Sequence, residues 1–352
     1  MQKIKLGITI GDVNGIGLEV ILKTINDSRL LKHISPVIYG STKIVSYHRN
    51  MIGINDLSVK SIEEAKHAYK DRISVVNCWD DDVKVELGKA TEEGGKFAKI
   101  AIERAVEDLN NNDLDVLVTG PINKEAMHLA GFEYIGHTEM LTEASGKKES
   151  LMFMVSDNIR VGLVTNHSEI SKVTEEVTKE RILEKLAIMN DSLIKDFDII
   201  KPRIAIMGLN PHAGDGGTIG KEDEEIVRPA VLEAKKNGIM AFGPYPADGF
   251  FGSAQFTKFD GILAMYHDQG LIPFKSLTFG TGVNFTAGLD CIRTSPDHGT
   301  AYDIVGQGIA DPQSFRNAVY AAIDIYRNRA DHKDMNSNKL KKKSGHLTKM
   351  ER

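Results

Sequence analysis

The sequence predicts an α/β fold with two lobes and mostly parallel sheets. Short runs of apolar, often β-branched residues alternate with amphipathic helical stretches along nearly the whole chain, and this alternation is typical of parallel strands joined by helices. Residues 204–207 are apolar at every position, as in strands that helices cover on both faces. The chain has 352 residues, and because a single hydrophobic core rarely grows to that size, we expect two lobes.

Nine strands and three long helices are predicted. The strands span residues 5–10, 37–39, 74–76, 115–118, 151–155, 160–165, 203–207, 261–265 and 283–285. In the helix predicted over residues 92–109, apolar side chains from Phe97 to Leu109 recur at the spacing of one helical face. The other helices are predicted over residues 178–197 and 222–237, the second of which ends at Gly238.

Composition and charge narrow the class of protein. The net charge of -5 and the pI near 6.1 argue against a nucleic-acid binder. Cys78 and Cys291 lie far apart in no metal-type or redox-type spacing, which excludes a disulfide framework and fits a reducing compartment. The short apolar N-terminal stretch runs into Gly11-Asp12, so we interpret it as a first strand rather than a signal peptide. No apolar run is long enough to span a membrane, and a cytoplasmic protein is predicted.

Three histidines share one sequence context, an apolar strand followed by a polar turn that carries the histidine. They are His167, His212 and His267. Loops at the carboxyl ends of strands line the ligand crevice of an open α/β sheet, so three imidazoles could converge there on zinc, cobalt or a similar cation. Alternatively, each histidine caps a turn or packs at a strand end without metal. The residues alone leave both interpretations open.

Other loops carry residues suited to binding anions. Lys275, Asn284 and Arg293 lie in a stretch rich in glycine and threonine, and a lysine and an arginine near an amide are suited to carboxylate or phosphate recognition. Thr138 could cap a helix whose N–H groups face an anion. A simple helix cap explains Thr138 about equally well, but it does not explain His137.

The glycine-rich loop at residues 11–17 follows the first strand and opens a helix. Glycines there allow close approach of a ligand to backbone N–H groups. The loop does not match the G-x-G-x-x-G dinucleotide fingerprint, and a structural strand-to-helix turn explains it as well.

Seven sequence blocks, taken in order, resemble one enzyme family. They are Gly-His-Thr-Glu at 136–139, Thr-Asn-His at 165–167, Gly-Leu-Asn-Pro-His-Ala-Gly-Asp-Gly-Gly at 208–217, Pro-Ala-Asp at 246–248, Ala-Met-Tyr-His-Asp-Gln-Gly at 264–270, Gly-Val-Asn-Phe-Thr at 282–286 and Ile-Arg-Thr-Ser-Pro-Asp-His-Gly-Thr-Ala at 292–301. The chain resembles the 4-hydroxythreonine-4-phosphate dehydrogenases of pyridoxal 5'-phosphate biosynthesis from about residue 4 to about residue 328.

The resemblance implies a reaction and a set of site residues. The C3 hydroxyl of 4-phosphooxy-L-threonine is oxidised with NAD or NADP, and the product, 2-amino-3-oxo-4-phosphooxybutanoate, loses carbon dioxide to give 3-amino-2-oxopropyl phosphate. One divalent metal per site (zinc, magnesium or cobalt) is held by His167, His212 and His267. The implied substrate-binding residues are His137, Thr138, Lys275, Asn284 and Arg293. The family also implies a homodimer with shared active sites, in which His267 or other ligands reach across to the partner.

Three carboxylate or amine side chains are candidates for proton transfer and for orienting the histidines. Lys275 or Asp268 could accept the hydroxyl proton. Asp248 and Asp268 could orient the ligating histidines, or they could be turn-forming aspartates. The identity of the base stays open.

The wider isocitrate and isopropylmalate dehydrogenase superfamily implies the fold and a cofactor loop. Residues 298–312 are similar to its dinucleotide loop, with a departure at Tyr302. The implied cofactor-binding residues are Gly299, Thr300, Asp303, Gly11 and Asp12. The implied fold is a two-lobed α/β/α fold of this superfamily, with residues 1–128 and 262–330 in one discontinuous lobe. Residues 129–261 are expected to form the second lobe, with metal, substrate and dimer contacts, and residues 331–352 are expected to be a basic, disordered tail.

Three other functions remain open at this stage. Sister enzymes that oxidise D-threonate or D-erythronate 4-phosphate would share the metal and cofactor sites. A non-redox phosphate acyltransferase has the same general fold. A catalytically inactive metal-binding or regulatory protein is the third alternative.

Overall fold

The computed structural model describes residues 3–134 and 136–337. These residues form one sheet of twelve strands with the order β3-β4-β2-β1-β5-β12-β11-β6-β7-β10-β8-β9. In chain order the strands are β1 Ile4–Thr9, β2 Ile34–Gly40, β3 Val59–Ile62, β4 Ile73–Asn77, β5 Val116–Thr119, β6 Leu151–Ser156, β7 Ile159–Leu163, β8 Arg203–Met207, β9 Met240–Tyr245, β10 Gly261–Ala264, β11 Val283–Ala287 and β12 Arg293–Pro296.

Most neighbouring strands run parallel. The antiparallel pairings join β12 to β11, β11 to β6 and β6 to β7 in the middle of the sheet, and the remaining pairings on either side are parallel. Strand β8 is buried from Ile204 to Met207, as expected for a strand covered on both faces. The predicted α/β fold with mostly parallel strands is therefore confirmed, whereas β3, β9 and β12 were not predicted.

Helices cover the sheet. They are α1 Gly17–Ile25, α2 Thr42–Met51, α3 Glu92–Asn110, α4 Lys124–Leu129, α5 His137–Ala144, α6 Val173–Glu176, α7 Lys179–Lys195, α8 Arg228–Lys236, α9 Ala247–Gly252, α10 His267–Thr278 and α11 Gln313–Ser337. The hydroxyls of Thr91 and Thr178 cap α3 and α7 by accepting hydrogen bonds from backbone N–H groups of the first turn. The helix predicted over residues 222–237 is instead a π-helical turn, Asp223–Val227, followed by α8.

The last described helix extends into the predicted tail. Helix α11 continues to Ser337, so residues 331–337 are helical and the expected change of structure at residue 331 does not occur. Apolar residues of α11 such as Phe315, Val319 and Ile323 pack into the core, which ties this helix to the sheet. Residues 338–352 of the predicted tail lie outside the described residues. Within the described part of the chain, no helix has the length and apolar character needed to cross a membrane.

Candidate active site

Several strand ends and helix starts meet at one cavity of about 370 Å³. Helix α5 supplies His137, Thr138 and Glu139 from its first turn, and α10 supplies His267 and Lys275. Strands β11 and β12 supply Asn284 and Arg293, while His167 follows β7. All five predicted substrate-binding residues therefore line one cavity, within the size range of ligand pockets.

Arg293 is the principal positive charge in the wall of this cavity. Its side chain is 3 % exposed, and its Nε and Nη2 groups donate to Oγ1 of Thr119 at 3.1 and 2.7 Å. Nη1 donates to Oγ1 of Thr286 at 3.3 Å. Burial lowers the pKa of Arg293 to about 10, so the guanidinium is charged at neutral pH. Among the described residues, no acceptor contacts the other two of its five N–H groups.

His137 is held neutral beside this charge. It is 8 % exposed, and burial together with the charge of Arg293 holds the pKa of His137 well below its ordinary value. Its Nε2 atom has no hydrogen-bond partner among the described residues, and the same holds for Oδ1 of Asn284 and Oε2 of Glu139. Because buried polar atoms without partners are costly, this group of atoms indicates a polar ligand in the cavity.

His167 and His267 lie close together on this cavity. Their ring centroids are 6.3 Å apart because they follow β7 and β10, which pair in parallel. Nδ1 of His167 lies 3.5 Å from Oε1 of Glu139, and Nδ1 of His267 lies 2.7 Å from Oδ1 of Asp268. Burial raises the pKa of Glu139, but its hydrogen bond with His167 and other contacts outweigh burial, and the pKa is lowered overall.

His212, the third predicted metal ligand, is not among the residues that line this cavity. It lies in the turn Pro211–Gly217, where six successive residues, 212–217, have positive φ. Three of them, His212, Ala213 and Asp215, are not glycine. Left-handed backbone costs an L-residue about 1–2 kcal/mol, so this turn is strained. It leaves His212 exposed at the surface.

The residues present fit a divalent metal only in part. Two imidazoles face one cavity, beside a buried Glu139 oxygen without a hydrogen-bond partner, and imidazole is a suitable ligand for zinc and cobalt. Within the described residues, however, no group of three His, Cys, Asp or Glu side chains could hold a metal. One chain therefore supplies part of the predicted donor set, and the predicted three-histidine cluster does not form within it.

The predicted proton-transfer residues have different surroundings. Lys275 lines the cavity, and its Nζ donates to the backbone oxygen of Asp297 at 3.1 Å. Asp268 is not a lining residue, but its contact with His267 fits the predicted orienting role. Asp248 is an exposed residue in the first turn of α9 and is not among the residues that line the cavity.

Two of the predicted cofactor residues, Gly11 and Asp12, are held by contacts within the chain. Gly11 has a φ of +71°, and a Cβ there would lie 2.2 Å from the backbone oxygen of Pro121, so close packing requires glycine. Asp12 is 1 % exposed and accepts hydrogen bonds from the backbone N–H of Asn14 and the hydroxyl of Tyr302. These contacts favour the structural interpretation of the loop at residues 11–17, a strand-to-helix turn, and the predicted cofactor role of Gly11 and Asp12 stays a prediction.

The 298–312 loop is joined to the first glycine-rich loop. The backbone N–H of Ile16 donates to the backbone oxygen of Thr300 at 3.0 Å. A Cβ on Gly299 would have nothing within 4 Å, and Asp303 is exposed. His298 of the same loop lines the active-site cavity. The loop thus lies beside the cavity.

Sequence reasoning missed four residues of the site. Thr119 orients Arg293, Glu139 contacts His167, His298 lines the cavity and Tyr302 bonds Asp12. Glu139 and His298 stand within the sequence blocks that carried the family resemblance, so a signal for them was present. Thr119 lies in a buried strand, where its hydroxyl gives no sequence signal.

Comparison with known proteins identifies the family. The family model described as "Pyridoxal phosphate biosynthetic protein PdxA" matches residues 32–322. A 4-hydroxythreonine-4-phosphate dehydrogenase of Bacteroides thetaiotaomicron is 50% identical over 342 residues, 97% of this chain and 94% of that protein.

Solved structures give the same result. A 4-hydroxythreonine-4-phosphate dehydrogenase from Burkholderia phymatum has a TM-score of 0.75 and 36% identity, covering 92% of this chain and 98% of that chain. One from Klebsiella pneumoniae has a TM-score of 0.77 and 32% identity with the same coverage. The chain therefore belongs to the PdxA family of pyridoxal phosphate biosynthetic proteins.

Proposed function

We propose that the chain catalyses NAD(P)-dependent oxidation of 4-phosphooxy-L-threonine to 2-amino-3-oxo-4-phosphooxybutanoate, which decarboxylates to 3-amino-2-oxopropyl phosphate. The observation that carries this proposal is the single cavity that combines a buried, charged Arg293 with two neighbouring imidazoles, His167 and His267. The guanidinium of Arg293 is suited to binding a phosphate, and the two imidazoles are suited to holding a metal that assists oxidation of an alcohol. The names of the relatives support the same reaction.

Substrate binding is assigned to the residues around Arg293. The two N–H groups of Arg293 that do not bond Thr119 or Thr286 would hold the phosphate. Neutral His137 and the amide of Asn284 have unpartnered buried atoms that would bond the polar groups of the substrate. Thr138, in the first turn of α5, adds backbone N–H at a helix N-terminus, where anions are favoured.

His167 and His267 would hold a divalent metal. When bound there, such an ion stabilises negative charge that develops on the oxygen of the substrate. The contact with Asp268 orients the ring of His267, as carboxylates commonly do for ligating histidines. Glu139 performs the corresponding function for His167.

Proton transfer is assigned to Lys275. It lines the cavity, whereas Asp268 is engaged by His267. Lys275 would accept the proton of the C3 hydroxyl, and a nicotinamide held beside the cavity would accept the hydride from C3, so that C3 would become a ketone. The 298–312 loop, with Gly299, Thr300 and Asp303, would hold the dinucleotide beside the cavity.

The assembly is proposed to be a homodimer with shared sites. One chain supplies His167 and His267 to the cavity but leaves His212 outside it and exposed. A second copy could bring its own His212 to the same metal, which would complete three imidazole ligands. An enzyme that draws on phosphorylated metabolites and dinucleotides is also expected in the cytoplasm.

Spectrophotometric assays of the purified protein test the proposed reaction. With Zn²⁺ or Co²⁺ present, we expect NADH or NADPH to form from 4-phosphooxy-L-threonine. D-threonate 4-phosphate is the necessary comparison, because a relative from Oceanobacillus iheyensis, 36% identical over 324 residues, carries the provisional name of a D-threonate 4-phosphate dehydrogenase. Turnover of D-threonate 4-phosphate alone would contradict the proposal.

A further inference from the structure

Asp223 is a buried carboxylate with no part in the reaction proposed above. Its side chain is 0 % exposed, and a carboxylate is rarely buried unless its oxygens are bonded. The backbone N–H of Leu209 donates to Oδ1 at 2.7 Å, and that of Asn210 donates to Oδ2 at 3.0 Å. The carboxylate is therefore tied to the two residues that precede the strained turn Pro211–Gly217.

Side-chain contacts reinforce this attachment. Nδ2 of Asn210 donates to Oδ2 of Asp223 at 3.0 Å and to Oε2 of Glu222 at 2.9 Å. A Cβ on Gly208 would lie 2.9 Å from Oδ1 of Asp223 and 2.8 Å from Cα of Ala213. Asp223 thus packs tightly against the start of the turn.

The turn requires such support from outside. Its backbone is left-handed from residue 212 to residue 216, and L-residues keep that conformation only where their surroundings impose it. Inside and after the turn, Ala213 N–H donates to the oxygen of Asn210 and Ile219 N–H donates to that of Gly214, each at 3.0 Å. Asp223 opens a π-helical turn, a form often found at functional sites.

We propose that Asp223 is a positioning residue that holds the Pro211–Gly217 turn in its left-handed form and so fixes the direction of His212. This inference rests on the metal role of His212 proposed above. Asp223 does not touch substrate or metal in this arrangement. It acts through the backbone of Leu209 and Asn210, and its loss lowers metal affinity by freeing the turn.

The test compares Asp223→Asn with Glu222→Gln in the full chain. The amide of Asp223→Asn puts an N–H donor where Asn210 already donates, whereas Glu222→Gln keeps an acceptor for the same Asn210 side chain. With Co²⁺ as the probe in titration calorimetry, we expect Asp223→Asn to bind about 10–100-fold more weakly. Glu222→Gln should bind Co²⁺ as wild type does. Equal Co²⁺ affinity in Asp223→Asn and wild type would overturn the proposal.

Hydrogen exchange of the metal-free protein separates this inference from the proposed function. The amides of Thr218 and Ile219 donate to turn residues, so they should lose protection in Asp223→Asn. Unchanged protection there would overturn the holding role of Asp223. A wild-type protein that binds no Co²⁺ would instead overturn the metal site, and the exchange result would still report on Asp223.

Rescue and a milder variant complete the test. Adding Asp215→Gly, which accepts positive φ without strain, should restore part of the Co²⁺ affinity of Asp223→Asn. If Asp223→Asn does not fold, Asn210→Ser removes only the side-chain bonds to Asp223 and Glu222. It should weaken Co²⁺ binding by a smaller factor, and wild-type affinity in that variant would overturn the proposal.

Discussion

Three loops that follow neighbouring strands each carry a histidine, but only two of them bring it to the cavity. These two carry His167 and His267, and the third carries His212. All three follow neighbouring strands, since β10 pairs with β7 on one side and with β8 on the other. His167 and His267 face one cavity with their rings 6.3 Å apart. His212 lies in the left-handed turn after β8 and is not among the residues that line this cavity. A strand end therefore fixes the edge of the sheet where a loop lies, and the loop backbone decides where its side chains face.

The largest expected effects are losses of activity when one of the three histidines is replaced. Subunit complementation then tests which chain supplies each histidine to a site. His167→Ala, His267→Ala and His212→Ala should each lose more than about 100-fold in activity, since changes to residues behind the metal ligands already cost about 10–100-fold. Co-expression of His167→Ala with His212→Ala should restore about a quarter of wild-type activity. Random pairing makes half of the dimers mixed, and each mixed dimer keeps one intact site.

The control pair is His167→Ala with His267→Ala. Both residues belong to the same cavity of one chain, so no mixed dimer of these two variants contains an intact site. Activity in this control pair, or none in the first pair, would contradict the division into two residues from one chain and one from the partner. The measurement is the activity of the whole purified population of dimers, mixed and unmixed together.

A smaller effect is expected from Arg293→Lys, which tests the anion-binding wall of the cavity apart from the histidines. Lysine cannot reproduce both the bonds to Thr119 and Thr286 and a paired contact with phosphate. Hydrogen bonds of charged groups contribute about 1.5–3 kcal/mol, so KM for 4-phosphooxy-L-threonine should rise about 10–100-fold. Co²⁺ affinity should not change.

Arg329→Lys is the matched control for that substitution. Arg329 bonds buried Asp196 at 2.6 Å and is not a lining residue of the cavity. The same chemical change there should leave KM unaltered. A KM that rises equally in both variants would mean that Arg293 acts through general stability rather than through substrate binding.

Much of the fold could be predicted because its central strands are apolar on both faces. Strands such as β1 and β8 are nearly continuous runs of buried aliphatic side chains. Strand β3 reads Val-Lys-Ser-Ile and is half exposed at the sheet edge, so no such run marks it. Strand β12 reads Arg-Thr-Ser-Pro, and its buried polar residues bond neighbouring elements. Only tertiary contacts make that segment a strand.

The sequence predicted which types of residue form the site better than it predicted which of them lie together. Lys275, Asn284 and Arg293 were expected together and do line one cavity. The strained turn at His212 was not expected, because positive φ at His212 and Ala213 contradicts the intrinsic preference of both residues. Tertiary contacts with Asp223 override that preference. Sequence patterns carry intrinsic preferences, and they do not carry such contacts.

The smallest expected effect concerns the backbone strain of the left-handed turn Pro211–Gly217. Asp215 has a φ of +43° and an exposed side chain, so Asp215→Gly removes about 1–2 kcal/mol of left-handed strain. Glycine also makes the unfolded chain more flexible, which costs about 0.5–1 kcal/mol. The net expectation is about 0.5–1 kcal/mol greater stability, read from the urea midpoint.

Glu169→Gly, in the loop after His167, should change stability in the opposite direction. Glu169 is exposed with a φ of -58°, where glycine relieves no strain, and its ion pair with Lys172 is exposed and weak. The cost of added flexibility then stands alone, so the free energy of unfolding, read from the urea midpoint, should fall by about 0.5–1 kcal/mol. If Asp215→Gly also lowered the midpoint, the turn at His212 would be unstrained in solution. The loop after His167 and the turn that carries His212 would then differ in where they place their histidine but not in backbone strain.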